Sequence, residues 1–149
     1  MPTTLNRPMF DRTLWHQCEL AYSQKPSAYI QLQDSYQVNV NILLLAQYLD
    51  KHAFMLSVEQ WQSMLSVIEK WEDSVLVPYR KLRRIAKKHL PEDDYQKMLE
   101  VELIMERKSQ QLLLQKLHLI NGQPLTTSAG ISSNVNTYLS IYGLDDSAI

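Results

Sequence analysis

The sequence predicts an all-α fold, a single-domain bundle of about six helices around a buried central helix. Three observations predict it. From Val40 to Leu49, eight of ten residues are apolar and go all the way round a helix, so other elements must enclose it. The chain holds only three glycines and is rich in Leu and Gln, which favours helix over sheet. No stretch alternates with period two for long enough to argue for a sheet.

The bulk numbers bound the rest. At 149 residues the chain can bury one sizeable core. Its formal net charge is −1, so attraction to nucleic acid or membrane would have to come from a local patch. The single Cys18 excludes an internal disulfide and a multi-thiolate zinc site, and fits a reducing compartment. The start, MPTTLNRPMFDR, has no apolar core of signal-peptide length. No apolar run reaches the ~20 residues that span a bilayer. These features lead us to expect a soluble cytoplasmic protein with no membrane contact.

Residues 1–9, with Pro2 and Pro8, read as a flexible N-terminal arm, and residues 10–120 as the helical core domain. The first helix is expected from about Phe10 to Ser23, with Phe10, Leu14, Cys18 and Ala21 inward and Trp15 and Tyr22 one step round. Pro26 suits the first position of a second helix that presents Tyr29, Ile30 and Leu32. Asn39 is a good N-cap for the central helix, which ends near Asp50-Lys51-His52. Ser57 and Gln60 form a capping-box pattern for the fourth helix. Val58, Trp61, Leu65, Ile68 and Val75 keep helical spacing along it, and Pro78 should kink or restart it. Beyond Pro78, Leu82, Ile85 and Ala86 are expected to hold an inner face.

Pro91 and the three acids after it start a fifth and longest helix, stopped by Asn121-Gly122. Tyr95, Met98, Met105, Leu112 and Leu119 would make its seam, with Glu102, Ser109 and Lys116 on or beside it. Residues 121–132 read as a linker, and 133–149 as a short C-terminal helix with a frayed tail.

The search for chemistry is mostly negative. No Glu is followed at three residues by His, and no His-x-x-x-His occurs, so no metal site is expected. Three scattered glycines cannot build a phosphate cradle. Cys18 on an apolar helix face reads as a small buried hydrophobe rather than a nucleophile. No catalytic residue and no cofactor is expected.

Three positive signals remain. Arg80, Arg84, Lys87 and Lys88 fall roughly on one face of a basic run and could grip phosphates; the simpler reading is neutralisation by the acids of the next helix. Glu102 and Glu106 share a helix face and could do acid–base work, but are better read as ion pairs to Arg83 or Arg80 across an antiparallel interface. Asp34, Asn39 and Asn41 stand at the mouth of the apolar run and could line a pocket or cap helix ends.

Trp15 and Tyr22, then Leu32-Gln33-Asp34, Val40-Asn41-Ile42-Leu43-Leu44, Trp71 and Pro78-Tyr79-Arg80-Lys81-Leu82-Arg83-Arg84 together resemble a bacterial family of conserved hypothetical proteins, the domain of unknown function 2390. Glu102-Leu103 and Glu106-Arg107 continue the likeness, which spans about residues 10 to 120. The resemblance implies a small helical protein and carries no activity. It implies a shared set of polar positions at Gln33, Asp34, Asn41, Arg80, Arg83, Glu102 and Glu106. The chain departs from the family pattern at Tyr79, where Leu is usual, and at Gln37, where Gly or a small residue is usual.

The function expected first is a binding or adaptor protein acting through protein–protein contacts or self-association. The alternative is a small-molecule or anion pocket, with or without turnover, near Asp34, Asn41, Trp71, Arg80, Arg83, Glu102 and Glu106. RNA or ribosome association through Arg80, Arg84, Lys87 and Lys88 is possible on charge but not favoured.

Overall fold

The computed structural model describes residues 10–120, 123–124 and 133–149. The expected N-terminal arm, and all of the expected linker but Gln123 and Pro124, lie outside the described residues. The fold is all-α.

Helix α1 (Leu14–Gln24) starts later than its apolar spacing suggests, because the Asp11 carboxylate takes the Thr13 amide and hydroxyl and makes a turn first. Phe10, Leu14, Trp15 and Cys18 are buried as expected. Burial pushes the Cys18 thiol up to about 12, which suits a core side chain and not a nucleophile. Helix α2 (Pro26–Tyr36) opens on its proline and buries Tyr29 and Leu32. Ile30, expected inside, is exposed, since it lies one step round the helix from Tyr29. The helix ends at Gln37, whose φ of 63° is left-handed. That backbone accounts for the Gly or small residue that the resemblance implies there.

Helix α3 (Val40–Lys51) is the enclosed one. Ile42, Leu43, Leu44, Leu45, Ala46, Tyr48 and Leu49 are buried right round it. The Asn39 side chain accepts from the Ile42 amide at 3.0 Å, the cap expected from sequence. Helices α1, α2, α6 and α7 pack on α3. A two-residue strand β1 (Phe54–Met55) follows and pairs antiparallel with β2 (Gln123–Pro124), a bridge too short for any period-two signal.

Helix α4 (Val58–Trp71) carries the expected capping box, with Ser57 and Gln60 each accepting from the other's backbone amide. It runs without a break through a π-helical turn, Glu72–Leu76, into α5 (Val77–Ala86). The wide turn answers Pro78. The Val77 amide reaches back to the Glu72 carbonyl, and the chain continues where an α-turn would meet the proline ring.

Helix α6 (Glu92–Leu119) returns antiparallel to α5 and then packs on α4 and α3. Its inner face runs through Tyr95, Ser109, Leu113 and Leu117. The expected seam holds as far as Leu112 and fails at its end, where Leu119 is 79% exposed. A 3.6-residue helix drifts away from a seven-residue repeat by roughly 20° per heptad. Helix α7 (Asn134–Ser140) docks on α3 and α4. In the tail beyond it, Asp145 caps a 3-10 turn, Asp146–Ala148, and Ile149 packs against the core.

The sharpest departure is α5. It buries no side chain, and Leu82 and Ile85 are 55% and 62% exposed. The inner face expected for them is instead the outer face, because Arg80 and Arg83 take the side toward α6.

Candidate functional site

The polar seam between α5 and α6 is built around two arginines. Arg80 Nη2 donates to Glu106 Oε2 at 3.0 Å. Its Nε lies 3.5 Å from Glu102 Oε2, and its Nη1 lies 4.0 Å from Glu72 Oε1. Arg83 Nε donates to Glu102 Oε1, and its Nη1 to the Tyr95 hydroxyl at 3.4 Å. Three carboxylates and two guanidiniums therefore share one half-buried seam. Ser109 Oγ donates to Glu72 Oε2 at 2.6 Å and completes its shell. The expected ion pairs of Glu102 and Glu106 are thus present, and antiparallel packing brings their partners across.

The electrostatics follow from the count. Burial pushes the Glu106 carboxyl above its ordinary range; Arg80 opposes this, while Glu102 and Glu72 add to it. The hydrogen bond from Arg83 to Glu102 raises the guanidinium further above its already high range.

Beside the seam opens a cleft of about 910 Å³, within the range of ligand pockets. Its walls are α1 with Tyr22, the end of α2 with Asp34, and the start of α3 with Asn41. The far side is the α4–α5 run from Leu65 to Arg84, with α6 from Leu103 to Gln110 and Tyr142 after α7. Asn41 Oδ1 accepts from Gln110 Nε2 at 3.2 Å, tying α3 to α6 across the cleft. Burial pushes the Tyr22 and Tyr142 hydroxyls up, so both are neutral donors at neutral pH.

Four of the seven residues expected at a ligand site, Asp34, Asn41, Arg80 and Glu106, line this cleft. The other three do not. Trp71 Nε1 donates to the Met105 carbonyl at 3.1 Å and serves the α4–α6 contact. Arg83 and Glu102 pair with each other further along the hairpin, toward Tyr95. The basic face expected from sequence also changes. Arg80 is enclosed by glutamates, whereas Arg84, Lys87 and Lys88 are exposed and make no ion pair among the described residues. Lys87 Nζ stands 5.8 Å over the Tyr95 ring.

Sequence reasoning missed Glu72 and Gln110. Glu72 had a signal: it falls four residues after Ile68 on the apolar stripe of α4, where a carboxylate requires a buried partner. Gln110 had none, since its role rests on where α3 meets α6.

No group of three or more His, Cys, Asp or Glu among the described residues is placed to hold a metal ion. Among the described residues no helix is long and apolar enough to cross a membrane. No curated protein and no solved structure matches the chain. One family model does match, over residues 13–113, a span that takes in α1 to α5, most of α6 and every residue of the arginine–glutamate seam. The chain belongs to that family, described as a protein of unknown function, DUF2390.

Proposed function

We propose that this protein is a non-enzymatic adaptor that binds another protein through the outer face of α5. One observation carries the reading: the α5–α6 hairpin is packed inside out. Arg80 and Arg83 face inward to the glutamates, while Leu82 and Ile85 stand in solvent. On an α-helix, Leu82 lies about 200° round from Arg80, and Ile85 about 200° round from Arg83, which sets the aliphatic pair opposite the seam. Exposed aliphatics on a helix that could have buried them support a surface kept for a partner. Lys81, Arg84 and Lys88 flank the pair and are exposed. The partner that fits is a helix or surface with an apolar stripe rimmed by carboxylates.

The same cations would suit nucleic acid, but no aromatic side chain is exposed among them to stack a base, and the aliphatics add nothing to a grip on phosphate. Site-specific photo-crosslinking separates the two. A crosslinker at Ile85 should give a discrete protein adduct that a crosslinker at Glu59 does not. Leu82→Glu should abolish the adduct without lowering the melting temperature, since Leu82 is exposed. Absence of an adduct at Ile85, or an adduct that disappears on nuclease treatment, would overturn the proposal.

A further inference from the structure

The cleft beside the seam shares Lys81 and Arg84 with the rim of the outer face of α5, but not Leu82 or Ile85, and it carries charges of both signs. Glu19, Asp34, Glu69 and Asp73 line it from α1, α2, α4 and the π-turn. Lys81 and Arg84 line it from α5, and Arg107 from α6. None of these seven makes an ion pair among the described residues. All seven are exposed, so their charges are open to a ligand.

We propose that the cleft binds an extended peptide segment with a basic residue at one end and an acidic residue at the other. An anion alone is a poor fit. Arg80, the deepest cation, is held by three glutamates. Two of the donors at the start of α3 are engaged as well, the Asn39 amide on the Tyr138 hydroxyl and the Ile42 amide on the Asn39 side chain. Along the α4–α5 wall, the carboxylates Glu69 and Asp73 lie toward α4 and the cations Lys81 and Arg84 lie on α5. Asp73 is eight residues from Lys81 and eleven from Arg84 along one continuous helical run. At 1.5 Å per residue the two ends are about 12 to 16 Å apart, the reach of about four to five residues of extended chain. Val77 lies between the charged ends on this run, and Leu65, Leu103 and the Tyr22 and Tyr142 rings add apolar and aromatic surface to the cleft.

The test uses the whole chain and three labelled hexapeptides at low ionic strength, where exposed charges are least screened. One peptide is Lys-Ala-Leu-Leu-Ala-Glu; the others carry Lys at both ends or Glu at both ends. The mixed peptide should bind about fivefold or more tighter than either control. In the double variant Glu69→Lys, Asp73→Lys the preference should move to the peptide with Glu at both ends. Both positions are exposed, and a circular-dichroism melt confirms that the variant folds. Equal affinity for the three peptides, binding of none, or an unchanged preference in the variant would each overturn the proposal.

Discussion

Glu106 shares Arg80 with two other glutamates, and that surplus decides its chemistry. Burial holds its carboxyl above the ordinary range despite the guanidinium 3.0 Å away. In the unfolded chain it ionises near 4.5; in the folded chain it ionises later. Between those points the native state binds more protons, so this group's contribution to stability falls as pH rises. Glu106→Gln keeps an acceptor for Arg80 and removes the surplus charge. The variant should melt no lower than the parent at pH 7 and lose any advantage as pH falls toward 4. Arg80→Met should lose about 3 kcal/mol at pH 7, because it leaves three carboxylates without their shared cation. Thermal melts of both variants across that pH range check this; equal destabilisation by both would mean that the Glu106–Arg80 pair stabilises on balance. The pairing itself was legible in the sequence, since Arg80, Arg83, Glu102 and Glu106 sit at helical spacing on two segments joined by Pro91. The third carboxylate was not, because a Glu on an apolar stripe reveals its partner only once Ser109 and Arg80 are placed beside it.

Among the helices, the signals carried by adjacent residues are legible in the sequence and those set by tertiary packing are not. The Asn39 cap, the Ser57–Gln60 box and the proline start of α2 are written in a few adjacent residues, and all three are present. Which way α5 turns is not written locally. Leu82 and Ile85 make an apolar stripe, but the burial available on that helix lies toward Glu102 and Glu106, and the paired charges take it. Helix α7 is likewise held by a device invisible in sequence. The Tyr138 hydroxyl accepts from the Asn39 amide at 3.0 Å and donates to its carbonyl at 3.3 Å, so α7 closes the end of α3 that capping alone leaves open. Asp50 repays this at the other end, accepting from the Asn134 amide at 2.7 Å. Tyr138→Phe would keep the ring in the core and strand the Asn39 amide, at a cost of about 1–3 kcal/mol. Denaturant unfolding should show the loss, and a Tyr142→Phe variant should lose less, because the 3.0 Å bond from the Asn39 amide goes to the Tyr138 hydroxyl. Parent-like unfolding of Tyr138→Phe would show that the Tyr138 hydroxyl does not latch α7 to α3.

Across the whole molecule, apolar burial is distributed unevenly. The buried hydrophobic cluster draws on α1, α2, α3, α4, α7 and the second half of α6. The hairpin of α5 and the first half of α6 contributes nothing to it, and Tyr95 is the one side chain buried there. What holds the hairpin together is the arginine–glutamate seam, the bond from the Tyr79 hydroxyl to the Met98 carbonyl at 2.9 Å and the packing around Tyr95. Half-buried ion pairs give less net stability than apolar burial, because desolvation offsets most of their attraction. The hairpin should therefore open below the free energy of global unfolding, as regions with few apolar contacts do. Native-state hydrogen exchange tests this directly. Amides of α5, from Tyr79 to Ala86, should exchange at least tenfold faster than those of α3, from Leu44 to Leu49. The gap should widen at high salt, which weakens the seam more than the core. If α5 and α3 exchange together, the π-turn couples the hairpin rigidly to α4, and the hairpin belongs to the same cooperative unit as the core. If they separate, Leu82 and Ile85 stand on the least stable part of the molecule, the part where a docking partner can add the most order.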